Sequence, residues 1–156
     1  MTCALAADTK LETPEGPLTV KTVGASPTPV MVRGADRRVR FIMARDVRIV
    51  GSAQPVLRIA LENGRVLRLG ADQLLLGPDG SERRAGDIQA GDALLSAFAF
   101  PIGYTYRTDG GDSRVSDGCI TVASVADGGT ADLYSLAVTP GTPFVLSCGL
   151  LGRAAG

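Results

Sequence analysis

Cys3, Cys119 and Cys148 are the thiols of a sequence that holds no histidine. A thiol attacks as thiolate and usually relies on a neighbouring imidazole to become one. Without histidine, Ser-His and Cys-His pairs are excluded. Any catalysis would fall to carboxylates, lysine, tyrosine, thiols or main-chain groups. The cysteines lie far apart and form no Cys-x-x-Cys spacing, so no metal site is expected. Asp109, Asp112 and Asp117 sit in "TYRTDGGDSRVSDG", Thr105–Gly118. They lack the alternating spacing and closing Glu of a calcium loop, and the stretch reads as a mobile surface loop. Asp87 and Asp92 each follow a glycine. They read as turn residues bonding main-chain amides rather than a catalytic carboxylate pair. Tyr104, Tyr106 and Tyr134 read as packing residues with polar tips. Cys148 reads as a small buried hydrophobe. A Cys3–Cys148 bridge stays open if the chain ends meet. The odd cysteine count fits a reducing compartment.

These residues must be held by short elements. Twenty Gly and nine Pro, spread throughout, forbid long helices. Between them run stretches of period-two alternation. Leu18–Val20 precedes a Pro-rich loop. Val39, Phe41 and Met43, then Val47 and Ile49, alternate with charged partners. Over Ala35–Val50 a helical spacing of Val39, Ile42, Met43, Val47 and Val50 competes with the strand reading. Leu57, Ile59 and Leu61 lead to Asn63-Gly64 and then to Val66–Leu69, which predicts a β-hairpin. Ala93–Phe98, Ile120–Val125, Leu133–Val138 and Phe144–Ser147 add further short strands. The class is all-β. "TPEGPLTV" at Thr13–Val20 echoes "GPDGSERRAGDI" at Gly77–Ile88. Two readings stand: coincidentally similar turns, or two related halves.

At 156 residues the chain suits one domain spanning 1–156. Sixteen basic and sixteen acidic residues cancel. That balance argues against a nucleic-acid or anionic-membrane partner. The densest basic stretch, "RGADRRVRFIMARDVR" at Arg33–Arg48, reads as a strand with a solvated Arg face. The N-terminus lacks the basic start and long apolar run of a signal peptide, and no stretch reaches the ~18 apolar residues of a membrane span. A cytoplasmic location is expected.

Four stretches, in order and over nearly the whole chain, together resemble the Hint family of hedgehog and intein autoprocessing domains. "ALAADTKLETPEGPLTV" is similar to the family's opening motif: a Cys or Ser nucleophile, a Gly- or Asp-Thr pair, a strand and a Thr-Pro-x-Gly turn. "LENGRVLRLGADQLLL", Leu61–Leu76, resembles the hairpin that leads into a Thr-x-x-His motif. "AGDIQAGDALL", Ala85–Leu95, resembles Ala-x-x-Leu-x-x-Gly-Asp-x-Leu. "LYSLAVTPGTPFVLSCGLL" resembles the closing stretch before a His-Asn pair. The resemblance implies an all-β, horseshoe-like Hint fold of short antiparallel strands with pseudo-twofold halves. Its two chain ends would meet in a central cleft.

The departures from the motifs bear on function. The resemblance places Ala4 at the nucleophile position, where a methyl cannot attack. Cys3 is one residue away, and along an extended strand that puts its thiol on the opposite face. Thr-x-x-His falls on Gly70-Ala71-Asp72-Gln73. Gln73 donates hydrogen bonds but transfers no proton at neutral pH. Asp72 alone of that motif's polar members keeps its family identity. The closing His-Asn pair falls on Arg153-Ala154: an arginine that stays charged, and an alanine with no amide to cyclise. The expectation is an intein-like unit that has lost splicing and autoproteolysis and serves as a scaffold or binding module. No cofactor is expected, and the partners would be flanking polypeptide in cis. Two alternatives stand: slow Cys3-dependent N-terminal cleavage, and an engineered intein trapped by Ala4 and Ala154 with Met1–Cys3 and Ala155-Gly156 as flanks.

Overall fold

The structure, a computed structural model, describes residues 3–154. Of the flanks invoked for an engineered origin, Met1–Cys3 and Ala155-Gly156, all but Cys3 lie outside the described residues. Alternation of apolar and polar residues builds antiparallel strands throughout. Two are long, Arg45–Leu61 and Cys119–Ala137, and they pair along their length from Val122 opposite Leu61 to Ala137 opposite Arg45. The strand reading of Ala35–Val50 therefore holds over the helical one: Val39–Met43 pairs with Pro29–Arg33, and Arg45 begins the first long strand.

The long ribbon is bent by register shifts, and two non-glycine residues within it take positive φ, Asp46 at 51° and Ala53 at 49°. Such bulges insert unpaired residues and increase local twist. Gly128 is there because the strands approach closely: a Cβ on it would lie 3.0 Å from the main chain of Leu57 and Arg58. The ribbon belongs to a five-stranded sheet ordered Leu5–Ala6, Val66–Leu69, Arg45–Leu61, Cys119–Ala137, Ala93–Leu95. Leu5 pairs both with Leu69 and with Tyr134, so the first strand is enclosed on both edges. A six-stranded sheet runs Val39–Met43, Pro29–Arg33, Phe144–Val145, Leu151–Gly152, Leu74–Leu76, Glu82–Arg84. Its closing strands bury Phe144, Val145 and Leu151 almost completely. The main core gathers Leu5, Ile59, Leu69, Leu136, Phe144 and Leu150.

The Asn63-Gly64 hairpin forms, with Ala60 opposite Val66. Its turn has three residues: Gly64 N–H donates to Leu61 O, Leu61 N–H to Arg65 O, and Gly64 carries φ of 84°. Asn63 is not left-handed, so this is a type I turn closed by a glycine bulge rather than a two-residue primed turn. Two local readings differ from what forms. Val20, placed at the end of a strand, instead starts a six-residue helix, Val20–Ala25, capped by the Thr19 hydroxyl. Thr105–Gly118, read as a loop, contains a small hairpin of Thr105–Arg107 against Ser113–Val115.

The sequence echo is a structural repeat, and it is longer than the matching turns. Leu5-Ala6-Ala7-Asp8 aligns with Leu69-Gly70-Ala71-Asp72, and Thr13-Pro14-Glu15-Gly16 with Gly77-Pro78-Asp79-Gly80. Main-chain bonds repeat with it. Thr9 donates to Ala6 O and Gln73 to Gly70 O; Val20 donates to Thr9 O and Ala85 to Gln73 O. Ser147 donates to Lys10 O as Arg153 donates to Leu74 O. Each copy is a hairpin that runs into a short helical turn, Val20–Ala25 in one and Ala85–Asp87 in the other.

Candidate functional site

Gln73 sits between the strands Val66–Leu69 and Leu74–Leu76 and is fully buried. Its Oε1 accepts the Ala4 N–H at 2.7 Å. Its Nε2 donates to Arg153 O at 3.1 Å and to Leu74 O at 2.9 Å. A buried amide finds partners for both ends, because leaving either dry and unbonded is costly. The first and last described stretches are thereby joined through one side chain. Gly70 completes the seat: its N–H donates to Ala4 O at 2.8 Å. A Cβ on Gly70 would lie 2.9 Å from the Ala4 methyl and 3.0 Å from Leu133 Cδ1. The glycine is there because the two chains touch.

Of the residues singled out by sequence, Ala4, Gly70, Gln73 and Arg153 come together. Ala154 follows and packs against the core. Cys3 is adjacent along the chain and wholly buried in the main core. Asp72 does not join them. Its exposed carboxylate pairs with Arg84 at 2.8 Å, while its counterpart Asp8 pairs with Arg68 at 2.8 Å, an arginine from a different place in the repeat. The Arg153 side chain leaves the junction: Nη1 donates to Gly141 O at 2.8 Å, and Nε stands 3.7 Å from Glu82 Oε1. Cys3, Cys119 and Cys148 are all thiols. Burial pushes the Cys148 thiol up to about 11, partly offset by main-chain hydrogen bonds and by Arg65. Burial, and then Asp117, raise Cys119.

Chemically, the junction offers the Ala4 amide an acceptor. Gln73 Oε1 faces an N–H that can only donate, so the oxygen assignment is fixed by the partner. A leaving amide nitrogen needs the reverse, a group that gives it a proton. Among the described residues, no three Cys, Asp or Glu side chains converge in a way that could hold a metal ion.

Sequence reading missed Thr9, the counterpart of Gln73, which is buried and donates through Oγ1 to Arg68 O at 2.6 Å. The signal was present in the repeated Leu-x-Ala-Asp that precedes both residues. It also treated Arg33 as part of a solvated face, whereas Arg33 is half-buried and its Nη1 donates to Ser96 O at 3.3 Å.

No family model matches the sequence, and no curated protein matches it either. Solved structures do match. A DnaB intein from Synechocystis sp. superposes with a TM-score of 0.73 at 13% identity, over 98% of this chain and 99% of that one. A bacterial intein-like domain from Clostridium thermocellum gives 0.73 at 15% identity, over 99% and 100%. The DnaX mini intein from Spirulina platensis gives 0.69 at 15% identity, over 96% and 98%. No helix among the described residues is long and apolar enough to cross a membrane. The antiparallel sheets, the junction that closes on Gln73 and full-length superposition on these structures lead to one conclusion: the chain has the all-β Hint fold of the inteins.

Proposed function

We propose that this chain is an intein-like unit that no longer splices or cleaves, and that it holds its two flanking polypeptide ends together as a scaffold. The observation that carries this reading is the direction of the Gln73 bonds. The side chain accepts from the Ala4 amide at 2.7 Å and so favours the intact peptide. Supporting it, the position for an attacking group holds a methyl, and the position for a cyclising amide holds Ala154. The Arg153 side chain turns away from the junction to donate to Gly141 O. Gly70 and Ala4 fit against each other closely enough that a threonine at 70 would collide with residue 4. Gly70 and Gln73 are further departures that trapping an unspliced precursor would not call for, and they favour divergence over a pair of introduced alanines. The scaffold would work on polypeptide joined in cis, without cofactor or metal. The alternative of Cys3-dependent cleavage is disfavoured by the complete burial of Cys3.

The test is a fusion with distinct tags at both ends, incubated for days with and without a small thiol and then weighed. An unchanged mass in both arms is expected. Release of either tag would overturn the reading, and loss of that release in Cys3→Ala would assign it to the alternative.

A further inference from the structure

A cavity of about 670 Å³ opens beside the junction. Sites of this size take small ligands or the end of a larger one. Three guanidinium-bearing residues line it: Arg33, Arg37 and Arg153. The carboxylate in the lining is Asp79, which already accepts from the Ser81 hydroxyl and main-chain N–H. Among the described residues, Arg33 and Arg37 form no ion pair; Asp36, in the same turn as Arg37, pairs with Arg40 instead. Arg153 Nε is buried without a hydrogen-bond partner, since Glu82 stands too far off for one. Three guanidinium groups thus face two carboxylates, Asp79 in the lining and Glu82 beside Arg153, and like charges in excess raise each other's energy, which an anion relieves. Burial, and then Arg37, lower the pKa of Arg33, which reports the same crowding.

Much of the remaining wall is apolar, with Ser96 as its polar side chain. Leu76, Leu95 and Leu151 line it, while Phe100 and Ile102 stand about half exposed at 50% and 53%. Phe100 is not loose: it stacks on Tyr104 at 4.9 Å between ring centroids and leans on Tyr106 at 5.0 Å. A fixed ring beside a cationic cluster is a surface for a ligand with an oily part and an acidic part.

The turn carrying Arg37 adds to this. Gly34 N–H donates to Arg38 O and Arg37 N–H to Gly34 O, the pattern of the Leu61–Arg65 turn. The turns at Gly77–Ser81 and Thr108–Asp112 repeat it. In those three the left-handed residue is glycine: Gly64, Gly80 and Gly111. Here it is Arg37, at φ of 65°. An arginine where the backbone favours glycine is strain kept in place beside the cavity.

We infer that this cavity binds a ligand made of an apolar chain or ring bearing one carboxylate, with the carboxylate among Arg33, Arg37 and Arg153 and the apolar part against Phe100 and Ile102. The inference does not depend on whether the junction is silent. A small amphiphilic acid and the free C-terminus of an apolar peptide share this chemistry.

Titration calorimetry separates the two sources. The ligands are decanoate and N-acetyl-leucyl-phenylalanine as free acids, each beside its uncharged amide. At least one acid is expected to bind, with its amide at least tenfold weaker. Decanoate as the tighter acid points to a small amphiphile, the dipeptide acid to a peptide end. Arg33→Gln and Arg37→Gly should each weaken the bound acid about tenfold, one lost charge-assisted hydrogen bond. Arg37→Gly relieves the turn, so it keeps the test usable should Arg33→Gln fold poorly. Absence of binding by both acids, equal binding by acid and amide, or unchanged binding in Arg37→Gly would overturn the inference.

Discussion

Gln73 has no exposed surface, yet each end of its amide is bonded to main chain from a distant part of the sequence. Replacing it with leucine would keep the volume and strip the partners. The Ala4 N–H would then be buried, and the Arg153 carbonyl part-buried, without these bonds. Each orphan costs about 1–3 kcal/mol, so Gln73→Leu is expected to lower unfolding free energy by about 3 kcal/mol in urea denaturation. A loss under ~1 kcal/mol would mean that water or relaxation replaces the side chain. The same residue shows what the sequence made legible. Ala4, Gly70, Gln73 and Arg153 were found because motif order survives where motif chemistry has gone. Asp72 was grouped with them because it shares their motif, but alternate residues around a turn face different ways, and its carboxylate goes to Arg84 in solvent. Arg33 and Arg37 were not recognisable as a site. Their neighbours Arg153, Phe100 and Ile102 come from remote parts of the chain.

Elements were legible where turn chemistry and alternation agreed, as in Leu57–Leu69. They were hidden where one signal opposed the structure. Val20–Ala25 contains Val20, Thr22 and Val23, all β-branched and all inclined to strand. It is helical because Thr19 caps it and because Val20 and Val23 are buried one turn apart. The hairpin at Thr105–Val115 has little apolar alternation to announce it, and its Gly111 turn is what folds it back. The Arg37 turn belongs to this scale as well. If arginine strains a position that glycine fills in the three sister turns, Arg37→Gly should stabilise the protein by roughly 0.5–1 kcal/mol, relief of left-handed strain outweighing glycine's greater chain entropy. Thermal unfolding of the two proteins measures it, and a lower melting temperature in the variant would show that the turn is relaxed with arginine.

Across the whole molecule, the repeat explains why one end resembles the other in bonding but not in chemistry. Gln73 and Arg153 hold the junction, and their counterparts Thr9 and Ser147 hold the equivalent crossing with a shorter, quieter set of contacts. The turns and the Leu-x-Ala-Asp run carry the repeat in the sequence, but the equivalence of Thr9 and Gln73 is hidden because they share position and main-chain bonds rather than residue type. Cys148 lies next to Ser147 and links this region to global stability. Its thiol is raised from the ordinary 9.0 to about 11 chiefly by burial. A raised thiol stabilises the fold fully below its unfolded pKa, and that stability is lost as pH climbs through the folded value. Unfolding free energy should therefore fall between about pH 9 and 11, and Cys148→Ala should flatten that part of the profile. An equally steep decline in the variant would assign the effect to other groups.

The enclosure of Leu5–Ala6 between two strands, together with the clasp on residues 4 and 153, gives the molecule a mechanical character. Tension applied through the two ends meets the Gln73 amide first, and behind it a strand that must be drawn out lengthwise with its ladder bonds loaded in parallel. The main chain at Ala4 and at Arg153 is held one side-chain amide apart, so drawing these two points away from each other must break that bridge before the sheet yields.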